Sequence, residues 1–268
     1  MRKTLVFILV LTVFGVVWTY AVPQPGMDAA QPGRSDDLWA APPEDSLMGW
    51  SNDQLKSEVY RLRRELQDLK KKLGMTDTVE IKSKGSVKVP KGSWKVDDFE
   101  SQTPTSGIGW WTSFSDQNNM GTTILPASYE RQPGGSPLSP GYCAGIRGHL
   151  GPSEEPWTWA FLQASLSRDE KPVDLNGYRE LWFAAKGDGK YYVVSLQREV
   201  VKDYNNFQTD FIAPETWTLV KIPLSRFSQS TYGTQYPRTF PDVKVLAFSP
   251  ELHEADYDLK IDDVVFVK

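Results

Sequence analysis

Between Leu55 and Leu73 the apolar positions Leu55, Val59, Leu62, Leu66, Leu69 and Leu73 recur alternately four and three residues apart. This spacing predicts one helix over 51–74 with a single narrow apolar seam. Ser51 and Gln54 form a capping box at its start, and Gly74 supplies the stop. With Leu55 at a d position, Glu58 and Glu65 fall at g, while Arg63 and Lys70 fall at the following e. Those charges are complementary in a parallel coiled coil, so the seam serves self-association. The alternative is that the stripe packs on the chain's own downstream domain, as amphipathic helices commonly do.

After Gly74 the period changes from helical to twofold. Val79 to Trp94 alternates apolar and polar residues, which predicts an exposed strand or hairpin connecting over 75–96. Beyond it, short strands are expected at 158–166, 180–185, 190–199, 207–212, 216–223, 243–248 and 259–267, cut by Gly, Pro, Asn and Asp. Seven such strands without a long helix between them indicate an all-β fold over 97–268, an antiparallel sandwich or jelly roll.

The N-terminal segment differs from both. Arg2 and Lys3 precede an uninterrupted apolar run from Leu5 to Trp18, and Ala21 stands before Val22 and Pro23. That order is a signal peptide over 1–21 with cleavage after Ala21, which exports the protein to the periplasm or cell surface. A retained anchor needs ~20 apolar residues, and 4–22 just reaches that length. From 22 to 50 the chain is rich in Pro, Ala, Gly and acidic residues without periodicity, the composition of a flexible linker.

Composition narrows the chemistry. Net charge is -4 and no dense Lys/Arg tract lies outside the helix, so nucleic acid is not an expected partner. The single cysteine, Cys143, excludes an intrachain disulfide framework and a Cys-rich zinc site. Two histidines, His149 and His253, leave little basis for a histidine dyad or metal triad. Glu154-Glu155 and Asp262-Asp263 are paired carboxylates, but nothing sets a pair at the separation glycosidases require. No phosphate loop, nucleophile elbow or zinc signature is present, and no catalytic residue is expected.

Strand alternation does propose a binding face. On 158–166, Ala160, Leu162, Ala164 and Leu166 suit the core, which turns Trp159, Phe161, Gln163 and Ser165 outward. On 190–199, Tyr192, Val194 and Leu196 suit the interior and Tyr191, Val193, Ser195 and Gln197 the outside. On 207–212, Phe207 and Phe211 point in, Gln208 and Asp210 out. If these outer faces adjoin, Trp159, Phe161, Gln163, Tyr191, Gln197, Gln208 and Asp210 form one surface of rings, amides and a carboxylate. Rings stack on the C–H face of a pyranose and the polar groups bind its hydroxyls. The other readings are a second small core beneath the N-terminal hairpin or the loop 129–140, and a protein interface. The tandem Trp110-Trp111, flanked by Gly109, is either a loop-borne aromatic contact or a pair with one ring in the core.

Several pieces occur in an order that resembles a known domain. They are Asp97-Asp98-Phe99-Glu100, Ser115-Asp116 leading to Asn119-Met120-Gly121, and Val173-Asp174-Leu175-Asn176-Gly177-Tyr178 before Leu181-Trp182-Phe183. Gly187-Asp188-Gly189-Lys190-Tyr191-Tyr192, Trp217 with Val220 and Ile222-Pro223-Leu224, and Ile261-Asp262-Asp263-Val264 complete the set. The stretch resembles the jelly-roll domain shared by the complex I intermediate-associated protein 30 family and the family 11 carbohydrate-binding modules, both galactose-binding-domain-like folds. The resemblance implies a structural calcium site joining the first and last strands, here Asp98, Glu100 and Asp263. The alternative is that these carboxylates are satisfied by backbone N–H groups or basic side chains. The expected function is non-catalytic polysaccharide binding by an exported module, oligomerised through its coiled coil. The alternative is an envelope structural or assembly protein whose same face binds another protein.

Overall fold

The computed structural model describes residues 78–116 (without 84, 86 and 105), 130–150, 159–250 (without 232) and 255–268. It also describes five upstream positions, Glu58, Arg61, Leu62, Glu65 and Leu69. All five are α-helical. Arg61 reaches Glu58 at 2.5 Å and also pairs with Glu65, i,i+3 and i,i+4 contacts within the helix. The coiled coil itself, with Leu55, Val59, Leu66 and Leu73, lies outside the described residues, as do the leader 1–21 and the linker 22–50. The compact units are 1–75 and 76–268.

The second unit is an all-β sandwich of two antiparallel sheets. Its strands are β1 (Thr78–Glu80), β2 (Trp94–Asp97), β3 (Trp111–Ser115), β4 (Glu130–Pro133), β5 (Tyr142–Leu150) and β6 (Ala160–Ser165). There follow β7 (Glu180–Gly187), β8 (Tyr191–Arg198), β9 (Phe207–Ile212), β10 (Thr218–Pro223), β11 (Val243–Pro250) and β12 (Ala255–Val267). The larger sheet has the order β1-β10-β7-β12-β5-β4, with β2 also on β12; the smaller is β3-β6-β11-β8-β9. The path crosses repeatedly between sheets, as in a jelly roll. The stretch expected as a connector over 75–96 supplies β1 and β2, so the sandwich takes in residues ahead of Asp97.

The core lies between the sheets. Leu162, Tyr192, Val194, Leu196, Phe207 and Phe248 of the smaller sheet meet Phe183, Val220, Leu259, Ile261 and Phe266 of the larger. Phe183 sits edge-on to Phe211 and Phe248 at ring separations of 4.9 and 5.0 Å, a favoured aromatic geometry. The alternation read from the sequence is realised in β6, where Ala160, Leu162 and Ala164 are buried and Phe161, Gln163 and Ser165 are half-buried.

The longest strand changes partner partway. β12 pairs with β5 from Ala255 to Ile261 and with β2 from Val264 to Phe266, and its register with β7 shifts between Asp262 and Val265. Asp263 lies within that shift and takes φ 48°. A non-glycine residue there is strained unless its surroundings hold it. The loop after β4 does so. Ser136 N–H donates to Asp262 Oδ2 at 2.7 Å, Ser136 Oγ–H to Asp263 Oδ2 at 2.6 Å, and Asp263 N–H to Asp262 Oδ1 at 2.7 Å. The loop approaches so closely that a Cβ at Gly135 would run into Ser139, Tyr142 and Asp262.

Candidate functional site

The outer faces of the two sheets are built differently. On the larger sheet Trp182, Ala184, Leu219, Val265 and Val267 face away from the main core, yet they are buried. Ile81 and Val87, from the N-terminal segment, and Leu138, from the loop after β4, close over them with Trp217. Lys221 lies 4.1 Å from the Trp182 ring centroid, and Trp182 Nε1–H donates to Glu180 at 2.7 Å. The second small core weighed for Trp159 and Phe161 therefore exists, made by the same two segments, but on the opposite sheet.

The outer face of the smaller sheet gathers the expected residues. Cross-strand partners share a face, so the registers place them in rows. Phe114 opposes Phe161, and Val193 opposes Asp210. In the next row Thr112, Gln163, Ala247, Ser195 and Gln208 follow one another across all five strands. Beyond it Ser165, Val245 and Gln197 form a third row. β11 separates β6 from β8, an insertion the local pattern does not reveal. Its Ala247, with Ser195 of β8, gives the middle of the face short side chains that sink between flanking glutamines. The face thus runs from the β3–β6 side, across β11 and β8, to β9.

The two sides of the face differ in chemistry. Trp159 and Phe161 are half-buried with ring centroids 5.3 Å apart, and Phe114, exposed, joins them from β3. Asp116 N–H donates to the Trp159 carbonyl at 3.1 Å, which ties this corner to the end of β3. The β9 side offers Gln208 and Asp210. Among the described residues the side chains of Gln163, Gln197, Gln208 and Asp210 make no hydrogen bond or ion pair with the protein. Their polar atoms are available to a ligand. Tyr191 lies on the same side, opposite Ile212, but its ring is buried at 7% exposure, so the expected open ring is not offered there. Phe114, Thr112 and Ala247 were missed. The short β3 reads Trp-Thr-Ser-Phe-Ser, too polar for a strand signal, and the alternation of Val245, Ala247 and Ser249 was the available clue.

The three carboxylates considered for calcium have protein partners. Lys95 Nζ donates to Asp98 Oδ2 at 2.9 Å. Glu100 Oε1 accepts the N–H groups of Gly141 and Tyr142 at 3.0 and 3.1 Å. Asp263 accepts Ser136, as above. Among the described residues no three His, Cys, Asp or Glu side chains are grouped to hold a metal. The Lys95 ammonium, the backbone N–H groups of Gly141 and Tyr142 and the Ser136 hydroxyl are the partners of these carboxylates, the arrangement weighed as the alternative to an ion. Burial and the neighbouring Asp263 carboxylate push Asp262 up to about 8, against the opposing hydrogen bonds from Ser136, Asp263 and Ser139. Asp263 is also raised, chiefly by burial. Glu154-Glu155 and His253 lie outside the described residues.

Residues 158–251, which hold β6 to β11, match the family model of complex I intermediate-associated protein 30 (CIA30). The resemblance read from the sequence is borne out over that stretch. No protein of curated function matches the chain in sequence. Among solved structures, the chain is similar to the family 11 carbohydrate-binding module of the cellulosomal cellulase Lic26A-Cel5E of Clostridium thermocellum. Identity there is 15%, TM-score 0.48, and coverage 68% of this chain and 96% of that one. It is also similar to a family 30 carbohydrate-binding module, with 18% identity, TM-score 0.45, and coverage of 60% of this chain and 94% of that one.

Proposed function

We propose that the outer face of the β3-β6-β11-β8-β9 sheet binds polysaccharide, without catalysis, in the service of an exported protein. One observation carries the reading: this face presents Trp159, Phe161 and Phe114 beside Gln163, Gln197, Gln208 and Asp210, whose polar atoms are unspent. The opposite face seals its aromatic residues under a second core. Stacking rings with convergent amides and a carboxylate is the chemistry that recognises sugar hydroxyls while holding the apolar ring face. A glycan array probed with the full chain tests it. Binding that disappears in Trp159→Ala, with the fold retained, supports the reading; a chain that binds no glycan rejects it.

The heptad seam adds avidity in this reading, since linked copies engage one polymer with raised effective concentration. Deleting 52–73 then turns an oligomer into a monomer in solution while the sandwich unfolds as before. An unchanged solution mass rejects the coiled coil.

A further inference from the structure

Where the end of β3 meets β12, the core holds two polar side chains that the packing leaves unbonded. Asp116 directly follows β3 and is 3% exposed. Its backbone N–H is taken up by the Trp159 carbonyl at 3.1 Å, yet both carboxylate oxygens are buried without a hydrogen bond among the described residues. Tyr257 of β12 is 2% exposed and belongs to the main core with Leu259 and Ile261. Its hydroxyl is likewise buried and unbonded. The two groups act on each other, because burial, and after it the Asp116 charge, raise the Tyr257 phenol above its ordinary value. No hydrogen bond joins them.

A buried polar atom ordinarily has a partner, and a carboxylate taken from water without one costs far more than a hydroxyl. Asp97, at the end of the preceding strand β2, shows what the fold does with a structural carboxylate. It is as deeply buried, and it accepts Phe99 N–H at 3.1 Å and the Trp111 indole N–H at 3.0 Å. Asp116 receives nothing comparable.

We propose that Asp116 and Tyr257 bind a hard cation at this end of the sandwich. A water between them would meet their hydrogen-bonding needs and leave the negative charge uncompensated. A cation offsets that charge and takes the phenol oxygen as a neutral donor. The donors are all oxygen, which suits calcium, magnesium, sodium or potassium and not zinc or copper. One carboxylate with neutral oxygens is a low-charge set, and ligand charge tunes affinity, so a Kd of about 0.1–1 mM is expected. The site uses none of Asp98, Glu100 and Asp263, and it does not depend on the carbohydrate reading.

Thermal melting of the full chain tests this, after treatment with chelator and at an ionic strength held constant with choline chloride. Calcium, magnesium, sodium and potassium chloride are added in turn. The melting temperature rises with the concentration of at least one of these ions, since an ion bound only by the folded state stabilises it by mass action. Asp116→Asn keeps the shape, removes the charge and loses the rise. Tyr257→Phe needs a higher concentration of the ion for the same rise, and Asp98→Asn responds like the unmutated chain. A melting temperature indifferent to all four ions overturns the inference, as does a rise that survives Asp116→Asn or disappears in Asp98→Asn. Where Asp116→Asn does not fold, Tyr257→Phe decides, and an unchanged response in that protein overturns the inference.

Discussion

The outer faces of the two sheets begin from similar material and end in different states. Each carries tryptophan and small residues on strands of comparable length. On the larger sheet, the segment holding Ile81 and Val87 and the loop holding Leu138 fold down over Trp182 and Val265. On the smaller sheet, Phe114 stands exposed, and the side chains of Gln163, Gln197 and Gln208 make no hydrogen bond with the protein among the described residues. The difference teaches that aromatic content does not by itself mark a binding face. What marks it is whether the chain spends other segments on covering it, and whether the polar groups beside the rings have been satisfied internally.

Substitutions can break or sharpen this contrast. The largest effect is expected from Trp182→Ala, which empties the covered face. It should cost roughly 3–5 kcal/mol in denaturant unfolding, and leave glycan binding by the surviving folded fraction intact. Trp159→Ala should do the reverse, abolishing binding at a stability cost well below that of Trp182→Ala. If the two cost the same, the faces are not different in kind.

A pH effect should come next, led by Asp262 on the covered side. Asp262 has a folded value of about 8 against an ordinary 3.8, so the folded state holds a proton that the unfolded chain releases. Stability should therefore fall as pH rises from about 4 to about 8. Melting temperatures across that range should decline with pH, and Asp262→Asn should flatten the decline. A slope that survives in Asp262→Asn would locate its origin elsewhere. The smallest effect is expected on the β9 side of the open face. Gln208→Ala and Asp210→Ala should each change stability by less than about 0.5 kcal/mol while weakening glycan affinity measurably.

Much of the open face was legible because strand alternation is local. Ala160 to Ser165 needed only their own sequence to be divided into inward and outward sets, and β9 was bounded correctly for the same reason. The covered face was not legible, since it depends on Val87 and Leu138 reaching strands far from them in sequence. β5 was missed because Gly145 and Gly148 read as breakers. In the fold Gly145 leaves room for the Gln132 amide, which a Cβ would meet at 2.8 Å. The residues that carried the family resemblance proved to be largely scaffold. Asp97 holds the Trp111 indole, Asp174 caps a turn by accepting Asn176 N–H at 2.8 Å, and Leu175 is core. That is why resemblance disclosed architecture more readily than the ligand.

The position of β12 has a consequence for the order of events in folding. This last of the described strands lies inside the larger sheet, hydrogen-bonded to β7 on one edge and to β5 and then β2 on the other. Three strands laid down earlier in the chain therefore wait for it, and β2 closes on it across more than half of the sequence. Contacts of such long separation form slowly. During synthesis the earlier strands have no mutual sheet to join on that side, so the sandwich closes after its final strand is available and not piece by piece. Shortening the chain by the residues after Asp263 would remove Val264 to Phe266, on which β2 pairs among the described residues, while Leu259 to Ile261 would still join β7 to β5.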